Sequence, residues 1–286
     1  MNHIVSHLNI DVGALPHVDA GLHYIAASAE RPFTYTFDPP AGTPRTNIVM
    51  EPHVVPIHDL RPIAGTLELD REGFELLQAP TAMGDFGDED AIRRIYYPET
   101  ARLIAEATGT SEVFIFDHTV RRRVRGAEDR AAGTPRQPAT RVHVDHTAKS
   151  GAQRVRDFFG DRAEALLKGR VQVINLWRPI RGPLRDAPLA LCDTRSVAPD
   201  DLVASDLIYR DRVGEIYNVR FNPAQRWFYV PEMRRDEALL LKCYDSATDG
   251  RSRFMPHSAF EDPTAPADIL PRESIEIRSL VFHPAD

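Results

Sequence analysis

Val171-Gln172-Val173-Ile174-Asn175-Leu176-Trp177 is an apolar, β-branched run closed by Arg178-Pro179, and it opens a series of similar runs. Residues 188–192, 215–221, 226–230, 238–244 and 274–282 repeat the pattern, most of them bounded by Pro, Gly, Asn or Asp. Runs of this length and composition predict strands. The 23 prolines, spread along the chain, favour short strands joined by turns over a helical bundle. Helical signals fall mainly before residue 171. Together these features predict an α+β chain with a double-stranded β-helix core (a jelly roll, cupin-like), flanking helices and an N-terminal arm.

Working outward from that series, residues 112–116 (Glu-Val-Phe-Ile-Phe) predict a buried strand, and 141–145 a short one. Residues 89–107 predict a helix broken at Pro98 and stopped by Thr108-Gly109-Thr110. Residues 152–167 predict a second helix, with Val155, Phe158, Phe159, Ala163 and Leu166 on one side. The polar, aperiodic stretch 126–140 predicts a mobile surface loop. Phe33-Thr34-Tyr35-Thr36-Phe37 alternates as a short strand within an otherwise irregular arm. One domain over 1–286 is expected, with an arm and helices in 1–110 and the jelly-roll core in 111–286.

At 286 residues the chain is long enough to bury a sizeable core. Its net charge of -7 argues against a nucleic-acid partner. The local exception is the run Arg121, Arg122, Arg123 and Arg125, whose ordinary meaning is a solvated rim. Cys192 and Cys243 sit in apolar runs, as buried inert thiols do, and two cysteines make no disulfide framework. The first fifteen residues show neither a signal peptide nor a membrane span. A cytoplasmic location and no membrane partner are expected, and the oligomeric state is open.

The chemistry centres on His143-Val144-Asp145. On a strand, residues i and i+2 share a face, so this imidazole and carboxylate project together while Val142 and Val144 point away. They supply two ligands of a two-histidine, one-carboxylate triad on iron(II), with positions left for a 2-oxo acid and O2. His-x-Asp alone arises by chance, and His17-Val18-Asp19 is a second copy, read as a turn. The order of residues downstream narrows the choice. His257, in the apolar setting Phe254-Met255-Pro256-His257, supplies a third ligand. Arg272-Glu273-Ser274 then offers a guanidinium and a hydroxyl on one strand face, suited to the distal carboxylate of 2-oxoglutarate. Arg278, on the same face, is the rival for that role. No GK[ST] phosphate loop, GxGxxG fingerprint, GxSxG elbow or zinc-spaced cysteine pair is present.

Val142-His143-Val144-Asp145, Asn175-Leu176-Trp177-Arg178-Pro179, Pro188-Leu189-Ala190-Leu191-Cys192-Asp193, Pro256-His257 and the stretch from Arg272 to Arg278 resemble the AsaB-like hydroxylase/desaturase family. That family includes fungal natural-product tailoring enzymes and the cephamycin methoxylation component of actinobacteria. The resemblance runs from about Tyr96 to Phe282. It implies hydroxylation or desaturation of a small organic molecule, with Fe(II), 2-oxoglutarate and O2, and ligand roles for His143, Asp145 and His257. Asn175 is a candidate to bond the 2-oxo acid; Trp177, Arg178 and Tyr96 are candidates to line the substrate pocket. Two other readings stay open. One is a non-catalytic jelly roll that binds a metabolite or a subunit. The other is a metal oxygenase that does not use 2-oxoglutarate.

Overall fold

Two β-sheets face each other across an apolar core in this computed structural model, which describes residues 11–110, 112–129 and 133–284. In chain order the strands are β1 (His17–Ile25), β2 (Phe33–Tyr35), β3 (Met50–Asp59), β4 (Phe74–Gln78), β5 (Glu112–Arg122), β6 (His143–Val144) and β7 (Val171–Pro179). There follow β8 (Leu189–Cys192), β9 (Leu202–Ile208), β10 (Val213–Val219), β11 (Trp227–Tyr229), β12 (Glu237–Asp245), β13 (His257–Ala259) and β14 (Glu273–Phe282). Among the described residues the larger sheet runs β1-β3-β11-β8-β13-β6-β10-β9-β2, and the smaller runs β4-β12-β7-β14-β5. Leu189, Leu191 and Phe228 of the larger sheet meet Val173, Trp177, Leu239, Leu241 and Leu280 of the smaller one. This is the double-stranded β-helix expected from the strand series.

The period-2 rule explains the layering. On β7 and β14 the alternate residues Ile174, Leu176, Ile275 and Ile277 point to the outer side. There they pack on Tyr96, Leu103 and Ile104 of the helical segment. That segment comprises α1 (Glu89–Ala91), a π turn (Ile92–Tyr96) and α2 (Tyr97–Thr108). Pro98 does not break it. The proline lies in the first turn of α2, where its missing N–H leaves no gap, and the wider π turn precedes it. Gly109, at φ 71°, ends α2 as expected.

The second helix begins earlier than its apolar spacing predicts. α3 spans Ala148–Phe159, started by a reciprocal cap between Thr147 and Ser150. It turns at Gly160 (φ 48°) before the short α4, Ala163–Leu166. Gly151 of α3 lies against the Tyr244 ring, which a β-carbon there would strike at 2.5 Å.

Most of the unexpected structure lies in the N-terminal third. His17–Ile25, whose His-x-Asp reads as a turn in sequence, is a nine-residue strand paired with β3 along its whole length. Pro52 and Pro56 are compatible with β3 because of the register. Asp59 N–H bonds the Pro16 carbonyl and Ala26 N–H the Val49 carbonyl, so the odd residues of β3 bond to β1. The prolines occupy even positions, whose nitrogens point away from β1, and they remove no bond from that ladder. Strands β1 to β4 are thus woven into both sheets, and residue 110 marks no boundary in either. β5 is longer than 112–116 and is a half-exposed edge strand rather than a buried one. Among the described residues, no helix is long and apolar enough to cross a membrane.

Candidate metal centre and cleft

His143 and His257 are brought together by a single bridge of the larger sheet. β6 pairs with β13 so that these two residues are direct partners, their ring centroids 4.5 Å apart. Asp145 follows β6 and shares the inward face of His143, with its Oδ1 3.5 Å from His143 Nε2. Ligand atoms of His143, Asp145 and His257 all lie within 4.8 Å of one another. Val142 and Val144 are fully buried on the other side.

The surrounding bonds fix which atoms are left for a metal. His143 Nδ1 donates to the Arg141 carbonyl at 2.8 Å, and His257 Nδ1 to the Met255 carbonyl at 3.2 Å. Each ring is held by the carbonyl two residues earlier, which leaves Nε2 with a free lone pair. Burial and the adjacent His143 hold the His257 pKa below its ordinary value, so its ring is neutral at pH 7. Burial alone would raise the Asp145 pKa, but His143, Arg278 and His257 pull it well down, so the carboxylate is charged. Two imidazoles and one carboxylate, converging with the Nδ1 atoms of both rings anchored, fit a divalent ion such as iron(II).

Asp145 is braced from the smaller sheet. Asn175 Nδ2 donates to Asp145 Oδ2 at 2.8 Å and to Glu276 Oε1 at 3.0 Å. Both amide hydrogens are thereby used on these two carboxylates. Arg278 donates to Asp145 (3.3 Å), Asp117 (2.7 Å), Thr119 (3.1 Å) and Glu276 (3.0 Å). It is fully engaged in protein contacts.

Arg272 contrasts with it. Its side chain is buried, donates to Ser274 Oγ at 3.0 Å and the Ala187 carbonyl at 2.7 Å, and lies 4.9 Å from the Trp177 ring centre. Its backbone N–H donates to Asp186. No carboxylate of the described residues forms an ion pair with it. Burial and the neighbouring Arg121 pull its pKa down to about 9. Ala187, whose carbonyl holds it, adopts a left-handed backbone (φ 47°).

The remaining candidates separate by strand face. Trp177 shares the inward face with Asn175 and packs in the core behind the site. Arg178 points outward, and its guanidinium lies over Tyr96, 5.1 Å from the ring centre. Neither Arg178 nor Tyr96 lines the cleft that opens at the triad; the parity of β7 places them in the layer under α2.

That cleft has a volume of about 1010 Å³ and reaches His143, Asp145 and Arg278. Two of its walls differ from the expectation. Residues 126–140 form neither helix nor strand where described, yet they fold over the cleft. Gln137 is buried there, its side chain bonded to Val124 N–H and to the Arg122 and Pro135 carbonyls. Residues 130–132 lie outside the described residues. Arg121 of β5 and Arg123 just beyond its end, expected on a solvated rim, line the cleft. Alternation along a strand is the signal that finds them. The second His-x-Asp does lie on a strand, with His17 Nε2 4.0 Å from Asp19, but no third ligand joins it among the described residues.

Jelly roll, facial triad and braced carboxylate define a non-haem metal oxygenase class. Residues 22–282 match the family model described as an oxidoreductase/YMDC permease-like domain. The hydroxylase/desaturase efuI of Hormonema carpetanum is 36% identical over 289 residues, covering 93% of this chain and 95% of that protein. The Fe(II)/2-oxoglutarate-dependent dioxygenase nvfI of Aspergillus novofumigatus is 33% identical, covering 90% and 92%. The solved iron and alpha-ketoglutarate-dependent endoperoxidase NvfI superposes with a TM-score of 0.83 at 30% identity, covering 93% and 98%. The chain belongs to this family of iron- and 2-oxoglutarate-dependent hydroxylases, desaturases and dioxygenases.

Proposed function

We propose that the chain acts as one oxygenase domain that hydroxylates or desaturates a small natural-product intermediate, using Fe(II), 2-oxoglutarate and O2. The observation that carries this is the convergence of His143, Asp145 and His257, in a fold that also holds a buried guanidinium, Arg272, with no ion pair among the described residues. A buried charge without a counter-ion is costly, and a dicarboxylate cosubstrate would relieve it. The relatives' names support the same cosubstrate.

His143, Asp145 and His257 would hold the metal. Bound there with 2-oxoglutarate, iron(II) supplies the oxidising chemistry that reduces O2, cleaves a substrate C–H bond and releases succinate and CO2. Arg272 and Ser274 would hold the distal carboxylate of 2-oxoglutarate, and Arg278 and Asn175 would keep Asp145 aimed at the metal. The two free, buried thiols fit a reducing, cytoplasmic location.

The test is anaerobic titration of Fe(II) and 2-oxoglutarate, read as a visible charge-transfer band, together with succinate formation in air. Wild type is expected to show both and His143→Ala neither. Absence of the band with wild type would overturn the reading in favour of a non-catalytic jelly roll. Turnover without 2-oxoglutarate would favour another metal oxygenase.

A further inference from the structure

We infer that the substrate is a carboxylic acid and that Arg121 receives its carboxylate. This rests on the reading of the cleft as the substrate site of an oxygenase.

Strand alternation turns Asp117, Thr119, Arg121 and Arg123 of β5 and its extension toward the cleft. The arginines on either side of Arg121 are matched by acids. Arg278 bonds Asp145, Asp117 and Glu276. Arg123 bonds Asp186 and Glu261. Arg121 makes one hydrogen bond, from Nη1 to the Gln137 carbonyl at 2.7 Å, and no ion pair among the described residues. Glu276 acts on it at longer range but is engaged by Asn175 and Arg278. Asp129, the other acid that reaches it at longer range, is bonded twice by Arg136, at 2.9 and 3.0 Å.

Burial pulls the Arg121 pKa below the ordinary guanidinium value, and Arg136 and Arg278 add to the effect. A partly buried cation with most of its donors unused gains from an anion that reaches it. A guanidinium suits a planar carboxylate, which takes two parallel N–H bonds.

The cosubstrate does not account for this residue. Arg272, backed by Ser274, is another buried guanidinium with no ion pair among the described residues, and 2-oxoglutarate has one distal carboxylate to give. The cleft is lined mainly by polar and charged side chains, with Phe116, Phe158, Ile216 and Phe260 among them. An organic acid would place its carboxylate on Arg121 and rest its carbon skeleton against those four.

The test compares 4-phenylbutanoate with its methyl ester by calorimetry on protein loaded with Fe(II) and 2-oxoglutarate without O2. Wild type is expected to bind the acid about 10- to 100-fold more tightly, the range for a charge-assisted hydrogen bond. Arg121→Gln should abolish the preference and Arg121→Lys should reduce it, with 2-oxoglutarate affinity held within about threefold. Equal binding of acid and ester by wild type, binding of neither, or an undiminished preference in Arg121→Gln would overturn the inference. An undiminished preference in Arg121→Lys would do the same, and that variant decides the matter if the glutamine form does not fold. If Arg121→Gln loses 2-oxoglutarate as Arg272→Gln does, Arg121 belongs to the cosubstrate site; the inference fails and the oxygenase reading stands. If wild type takes up no 2-oxoglutarate, the oxygenase reading fails, and the same acid and ester comparison on metal-loaded protein decides this inference alone.

Discussion

His257 stands directly opposite His143 across the β6–β13 bridge, so main-chain pairing fixes the separation of two imidazoles far apart in the chain. Each ring is steadied by the carbonyl two residues before it. Replacing either histidine by alanine should therefore abolish stoichiometric Fe(II) or Co(II) binding, read by anaerobic titration, and with it succinate formation. His17→Ala should leave both unchanged, because His17 and Asp19 have no third ligand beside them among the described residues.

Asn175 links the ligand carboxylate to Glu276. Asn175→Ala leaves Asp145 free to turn away, and metal affinity is expected to fall roughly 10- to 100-fold. Asn175→Asp should be worse, since it places a third carboxylate between two others. Co(II) titration monitored by its ligand-field bands measures both variants.

The two arginines at β14 should fail differently. Arg272→Gln is expected to raise the KM for 2-oxoglutarate by about 10- to 100-fold with metal binding retained. Arg278→Gln removes the cation shared by Asp145, Glu276 and Asp117, so lower metal affinity and a lower melting temperature are expected. A rise in the 2-oxoglutarate KM with Arg278→Gln, larger than with Arg272→Gln, would assign the carboxylate to Arg278.

His146 is buried beside the site, and burial lowers its pKa from the ordinary 6.5 to about 4. The unfolded chain thus binds a proton in the window from pH 6.5 to 4 that the folded chain does not. Stability should fall as pH drops through that window, by up to about 3 kcal/mol from this residue. Urea midpoints of the metal-free protein at pH 7, 5.5 and 4 test this. His146→Gln should show a shallower acid loss than wild type.

Gly151 lets α3 approach the Tyr244 ring of β12. Gly151→Ala should destabilise the protein by about 1–3 kcal/mol through overpacking. Thermal unfolding measures it. Tyr244→Leu, which opens space at that contact, should recover part of the loss in the double variant.

The elements with strong local period were legible from the residues: β7, β12 and β14 carry continuous apolar runs, and α2 a proline at its start and a glycine at its end. β1 and β3 were not, because their proline and charged positions suit a strand only once the partner's register is known. The grouping of His143, Asp145 and His257 was legible through parity for the first two and through chain order for the third. The role of Asn175 was not, since its partners Asp145 and Glu276 come from elsewhere in the chain. Arg178 and Tyr96 were drawn to the cleft by closeness in sequence to Trp177 and the helix. A one-residue offset on β7 puts Arg178 on the opposite face.

β14 and the residue that leads into it carry Arg272, Ser274, Glu276 and Arg278 on one face, so the proposed cosubstrate clamp and the proposed brace of Asp145 sit on a single rigid ladder. Inserting or deleting one residue between Ser274 and Arg278 would turn one of the two sites to the outside. Changing the length by two would displace them by about 7 Å. Residues 133–140 form neither helix nor strand, so a change of their length turns no strand face over. Length variation that diversifies what the cleft accepts is therefore expected there, while β14 stays fixed in length.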